Sequence, residues 1–289
     1  MHSFQDLFSK HAACYAQYRP MYPAALFEYL SGLVTEHRLA WDVGTGNGQA
    51  AIGLANHFDR VIATDGSEAQ LSHATPHTRV LYHVATAEAA GPDIGLADAS
   101  VDLVTVAQAL HWFKFDEFYA NVRRVLKPGG VIAAWCYGMN YVTPAVDVVV
   151  DRLYQITDPY WAAGRKWIDE KFQTIPFPFE PVAAVRANET SEQHQHRTMI
   201  NESAAVHRDG VASTVRDYNS QFECYEKWTL AQFVGYLHSW SGTQRFMNAK
   251  GYDPLDDLGD ELAAAWGNPE TPQTVHWPIY LLVGRPGAV

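Results

Sequence analysis

Between residues 39 and 138 the chain alternates short apolar runs with longer mixed stretches, separated by tight turns. The apolar runs are Leu39-Ala40-Trp41, Arg60-Val61-Ile62-Ala63-Thr64, Val80-Leu81-Tyr82-His83-Val84, Val101-Asp102-Leu103-Val104-Thr105-Val106 and Val131-Ile132-Ala133-Ala134-Trp135. Such lengths suit buried strands and are too short for helices. Helical signals lie between them, as in Gln49-Ala50-Ala51-Ile52-Gly53-Leu54-Ala55. The helix before the fifth run is predicted to stop at Lys127-Pro128-Gly129-Gly130, where proline and glycine punctuate the chain. This alternation predicts a doubly wound α/β fold, a mostly parallel sheet covered on both faces by right-handed crossovers. Ligands of such sheets sit at the carboxyl ends of the strands.

The flanks read differently. Residues 1–38 are expected to supply an N-terminal helical cap of one or two helices, and 39–138 the cofactor-binding core. Residues 139–220 are expected to form a substrate or lid insertion, irregular because Pro144, Pro159, Pro176, Pro178 and Pro181 interrupt its aromatic clusters. Within it, 188–217 is polar and rich in His, Ser and Thr, and is expected to be a mobile loop or lid. His194 and His196 fall there, but without a nearby carboxylate pair no metal site is predicted. Residues 221–289 are expected to complete the sheet with strands near Phe222–Trp228 and Val275–Gly284, with helical sequence at Leu230 to Leu237 and Leu255 to Trp266.

The first apolar run leads into Asp42-Val43-Gly44-Thr45-Gly46-Asn47-Gly48, directly before the first helical stretch. Glycines there allow positive φ and close approach of a ligand, and a helix N-terminus adds unpaired N–H groups. A dinucleotide fingerprint would need a third glycine at position 49, which is Gln49. The second run ends at Asp65, followed by Gly66-Ser67; an acid at that strand tip can accept hydrogen bonds from a ribose diol.

This arrangement resembles motif I of the class I S-adenosylmethionine (SAM) methyltransferases. The run Tyr15-Ala16-Gln17-Tyr18-Arg19-Pro20-Met21-Tyr22-Pro23 is similar to the opening segment of a subfamily that includes trans-aconitate methyltransferase relatives. Ala107-Gln108-Ala109-Leu110-His111-Trp112-Phe113, Arg123 to Gly130, Trp240 to Arg245 and Trp277-Pro278 also have counterparts there. The resemblance implies a seven-stranded Rossmann-like sheet with an antiparallel last strand, and SAM as cofactor with S-adenosylhomocysteine (SAH) as product. It places Asp42, Gly44, Thr45, Gly46 and Gly48 at the methionine end. Asp65, Gly66 and Ser67 fall at the ribose, Ala87 and Glu88 at the adenine, and Ala107 and Gln108 beside the sulfonium.

Methyl transfer to a carboxylate requires no base at neutral pH, because the acid titrates at roughly pH 4. A hydroxyl, amine or carbon acid generally requires one, and His111 is the best-placed base. Arg19 can clamp a carboxylate, of the cofactor or of the acceptor, through two parallel hydrogen bonds. Arg165 and Arg245 are secondary acceptor-binding candidates. Tyr15, Tyr18, Tyr22, Trp161, Trp228 and Trp240 are candidate pocket walls. The resemblance favours a small-molecule carboxylate as acceptor; an O-, N- or C-acceptor on a secondary metabolite, or a non-catalytic SAM-binding role, are the alternatives.

Composition narrows the class without changing it. A formal charge of −11 argues against a nucleic-acid partner. No run is apolar enough to span a bilayer and no leader pattern opens the chain, so a cytoplasmic protein is expected. Cys14, Cys136 and Cys224 read as buried thiols, not as a disulfide frame or metal site.

Overall fold

Every residue of the first strand, β1 (Leu39–Val43), is buried, so both faces of the sheet are covered where the chain enters it. The computed structural model describes residues 19–89, 91–182 and 222–287. β1 pairs in parallel with β2 (Arg60–Asp65) on one side and β4 (Val101–Ala107) on the other. β3 (Val80–Val84) extends the β2 side, and β5 (Leu126–Tyr137) extends the β4 side, all in parallel. β8 (Gln273–Arg285) runs antiparallel to β5. Along its other edge lie β7 (Phe222–Trp228) and the two-residue β6 (Glu180–Pro181), both antiparallel to it. The order is thus β3-β2-β1-β4-β5-β8, with β6 and β7 sharing the seventh position. The eight strands therefore form the expected seven-position α/β sheet.

Alternation along β5 distributes the core. Val131, Ala133, Trp135 and Tyr137 join one apolar cluster, and Ile132, Ala134 and Cys136 join the other. The first cluster takes in helices α1 (Ala24–Ser31), α2 (Gln49–Ala55), α5 (Pro144–Thr157), α7 (Leu230–His238) and α9 (Gly259–Trp266). The second takes in α4 (Phe115–Val125) and α6 (Arg165–Asp169). The remaining helices are the single turn α3 (Glu68–Leu71) and α8 (Ser241–Lys250). Among the described residues, no helix is long and apolar enough to cross a membrane.

Three expectations change. Residues 144–157 form a helix of 14 residues where irregular chain is expected. Pro144 sits in its first turn, where a missing N–H costs nothing, and the Thr143 hydroxyl caps it by accepting the Val146 N–H. Helix α4 stops at Val125, just before Lys127-Pro128-Gly129-Gly130, but that tetrapeptide does not separate helix from strand. It lies inside the extended span of β5 as a register excursion, with Val101 opposite Leu126 but Leu103 opposite Val131. Gly129 makes that excursion at φ +81°. Finally, the late helical sequence breaks into α7, α8 and α9, of which α8 was not expected. The 188–217 segment, with His194 and His196, lies outside the described residues, as do Cys14, Tyr15 and Tyr18. Cys136 and Cys224 are buried free thiols.

Candidate active site

The strand order reverses between β1 and β4, so the chains leaving these two strands depart in opposite directions and open a crevice at their carboxyl ends. A cleft of about 1400 Å³ occupies that place. Its lining brings together Gly44, Thr45, Gly46, Asp65, Gly66, Ser67, Ala87, Glu88, Ala107, Gln108, His111 and Arg19. These residues come from separate turns after β1, β2, β3 and β4 and from the segment before α1.

Asp65 organises the β2 end. One carboxylate oxygen accepts the Ser67 N–H and the other the Gly46 N–H, both at 2.8 Å. Burial pushes its pKa up, against those two bonds. Each oxygen retains lone-pair capacity for a further donor. Ser67 caps α3, accepting the Gln70 N–H.

Asp42 and Gly48 stand behind the cleft and not on it. Asp42 is fully buried, accepting the Thr45 hydroxyl at 2.5 Å and the Thr105 hydroxyl at 2.7 Å. Burial raises its pKa to about 6, the two hydroxyls opposing. It therefore ties the loop after β1 to the neighbouring strand β4. Gly48 has φ +88°, and a Cβ there would lie 2.3 Å from the Tyr82 hydroxyl. Its lack of a side chain answers to protein packing. Among the described residues, Gly46, at φ +57°, has only Gln70 Oε1 within 4 Å of such a Cβ, at 3.9 Å, so this glycine alone of the pair leaves open space.

At the adenine position of the prediction, Glu88 accepts the Lys114 N–H at 2.9 Å, joining the turn after β3 to the start of α4. Asn121 Nδ2 donates to the Glu88 carbonyl at 2.7 Å and fixes the same turn.

A sequence profile of the methyltransferase domain matches residues 41–134. A protein named as a methyltransferase from Dictyostelium discoideum is 30% identical over 98% of this chain and 95% of its own length. The chain belongs to the class I SAM-dependent methyltransferase family. A protein named as a SAM-dependent methyltransferase from Saccharomyces cerevisiae is 27% identical over 80% of this chain and 78% of its own. A solved structure of a protein named as a type II methyltransferase, from Anaeromyxobacter dehalogenans, is 39% identical. It covers 93% of this chain and 99% of its own, with a TM-score of 0.74.

The methyltransferase therefore uses SAM as cofactor, and the cleft suits it chemically. It offers open space over Gly46, a buried carboxylate at Asp65, and a buried amide oxygen at Gln108 with no hydrogen-bond partner among the described residues.

Beyond Gln108 the methyltransferase cleft changes character. Arg19 Nη1 donates to the Tyr137 hydroxyl at 2.9 Å, and its guanidinium lies 5.8 Å from the Tyr236 ring centroid. Arg165 Nε donates to Asp169 at 2.9 Å, and the guanidinium sits over the Trp161 ring at 4.5 Å. Arg245 donates to the Tyr160 carbonyl at 3.3 Å. His111 lines the same region; burial, reinforced by the Arg165 charge, lowers its pKa to about 3. A neutral imidazole of that basicity is a hydrogen-bonding group and a weak proton acceptor.

Trp240 and Tyr22 also line the cleft, whereas Trp228 packs inside the core against Trp277 at 5.1 Å and Tyr236 at 5.6 Å. The sequence reading missed Tyr137, Ser239, Gln244 and Tyr236, all of which line the cleft. Tyr137 was accessible by rule, since it ends β5 at the carboxyl edge. The other three lie on or beside α7 and α8, and only the path of β8 back through the sheet brings them here.

Proposed function

We propose that this methyltransferase methylates a carboxylate oxygen of a small-molecule acid. The carrying observation is the distribution of charge along the cleft. Arg19, Arg165 and Arg245 line the cleft beside Tyr137, Trp161 and Tyr160, while the acids among the described lining residues, Asp65 and Glu88, sit at the turns after β2 and β3, with Lys114 next to Glu88. A guanidinium already stacked and tethered loses little freedom when it takes a carboxylate in its fork.

On this reading Gly44, Thr45 and Gly46 hold the amino-acid end of the cofactor, with Asp42 and Gly48 supporting their loop from behind. Asp65, Gly66 and Ser67 hold the sugar, Ala87 and Glu88 the base, and Ala107 and Gln108 border the reacting centre. The cofactor supplies the activated methyl group. The chain aligns the acceptor with it and excludes water, and alignment alone can contribute about 7–11 kcal/mol. Arg19 and Arg165 orient the acid. A carboxylate is already ionised, so no proton must be removed. That agrees with His111, whose depressed pKa suits orientation better than base catalysis. Hydroxyl, amine and carbon acceptors have less support for the same reason.

Labelled SAM offered with acids, phenols and amines tests the reading. Acids are expected to take up label, and mild alkali is expected to release it as methanol, as an ester requires. Arg165→Gln is expected to lower kcat/KM for the acid by about 10–100-fold while the SAM Kd holds. Label transferred only to alkali-stable ethers or amines overturns it.

A further inference from the structure

Gln108 is the residue immediately beyond β4, and it holds φ +55°, a left-handed conformation that non-glycine residues seldom adopt. Surrounding structure must impose such a backbone, and residues of this kind concentrate at functional positions. Here the imposition is visible. The Gln108 N–H donates to the Trp135 carbonyl at 2.9 Å, and its side-chain Nε2 donates to the Tyr137 carbonyl at 3.4 Å. Both acceptors belong to β5, so the residue is pinned to the neighbouring strand at each end.

The second bond also decides which way the amide faces. A carbonyl can only accept, so the NH₂ must turn to Tyr137 and Oε1 must face away from it. That oxygen is buried and has no hydrogen-bond partner among the described residues. A buried acceptor without a donor calls for an explanation, and a donor or positive charge brought by a ligand supplies one. The position fits one. A Cβ on Gly44 would lie 2.5 Å from the Ala109 Cβ, so the chain at 108–109 rests directly on the glycine loop. His111, three residues further along the chain, and Arg165 line the same cleft. Gln108 thus borders the junction between the cofactor end and the acceptor end.

We propose that the Gln108 side-chain oxygen is the group by which the cleft tells the positively charged sulfonium of SAM from the neutral thioether of SAH. The proposal rests on placing the cofactor in this cleft. The negative end of an amide dipole, held in a buried site, attracts a cationic centre and its polarised methyl hydrogens. Transfer removes the positive charge, so the same contact weakens in the product complex and favours its release.

Calorimetric Kd values for SAM and SAH test this without any acceptor. Gln108→Met keeps the side-chain length and removes the oxygen; Gln108→Asn keeps the amide, tolerates positive φ, and withdraws the oxygen. Both variants are expected to weaken SAM by about tenfold, the size of a charge-assisted hydrogen bond, with SAH little changed. Equal weakening of both ligands, or no change in either, overturns the proposal, because the contact would then serve a shared part of the cofactor or none. Asp65→Ala separates the underlying site assignment: it is expected to weaken both ligands alike. If Asp65→Ala leaves both Kd values unchanged, the cofactor does not lie here, and the Gln108 proposal falls with that placement.

Discussion

The Asp65 carboxylate accepts the Gly46 N–H at 2.8 Å, joining the tip of β2 to the glycine loop that leaves β1. One side chain therefore sets the position of two turns that share the cleft. Asp65→Asn keeps the size but presents one acceptor oxygen in place of two and loses the charge. Hydrogen bonds to charged groups contribute about 1.5–3 kcal/mol, so SAM affinity is expected to fall about 10–100-fold. Calorimetry checks it, with circular dichroism expected to match the parent.

Two glycines of one loop are expected to fail differently. Gly48→Ala drives a Cβ to 2.3 Å from the Tyr82 hydroxyl and adds the left-handed backbone penalty, so it should lower stability by more than 2 kcal/mol, on the order of an overpacked core. Gly46→Ala carries the backbone penalty, about 1 kcal/mol, and among the described residues meets no atom closer than 3.9 Å. It should weaken SAM binding far more than it lowers the urea midpoint. Paired denaturation and binding curves separate them.

Buried Asp42 predicts a pH dependence of known sign. Its folded pKa, about 6, stands above that of the unfolded chain, so its contribution is fully present below pH 4 and is lost as pH rises through 6. Asp42→Asn is expected to gain on the parent between pH 4.5 and 7.5, by about 2 kcal/mol at 1.36 kcal/mol per unit, the rest of the loss falling below pH 4.5. Urea denaturation at the two pH values measures the difference.

His111 predicts the opposite slope. Its folded pKa, about 3, lies below the unfolded value near 6.5, so the unfolded chain gains the proton first and stability falls as pH drops below 6.5. His111→Asn should therefore lose less stability than the parent between pH 7 and 5. In kcat/KM with an acid acceptor, no inflection between pH 5 and 8 should trace to His111, and the parent and variant profiles should be parallel.

Gly242 underlies Trp161. A Cβ there would lie 2.5 Å from Trp161 Cε2 and 2.7 Å from Nε1. Gly242→Ala is expected to displace the indole, and with it the stacked Arg165. Acceptor KM should rise about tenfold or more, in line with a small misplacement of a positioning group, while the SAM Kd stays put.

The first five strands read plainly because apolar runs of that length, bounded on both sides by turns, are too short to make helices. β2 and β3 match their predicted ends. Helix α5 did not, since counting prolines as breakers overlooked that Pro144 stands where a helix tolerates it. The glycine loop was equally legible, but the reasons for its glycines were not. Gly48 answers to Tyr82, which a sequence places 34 residues away. Asp42, read as a ligand contact, is fully buried and accepts the Thr45 and Thr105 hydroxyls.

Local chemistry, written in consecutive residues, determined the α/β alternation, the positive-φ loop and the acids at two strand tips, because each depends on neighbours within a few positions. Tertiary structure decided which side chains face one another across the cleft. Arg19 meets Tyr137 and Ser239, and Gly242 meets Trp161, only after β8 has threaded back beside β5. Such pairings depend on strand order and packing over eighty residues or more, and no local period encodes them.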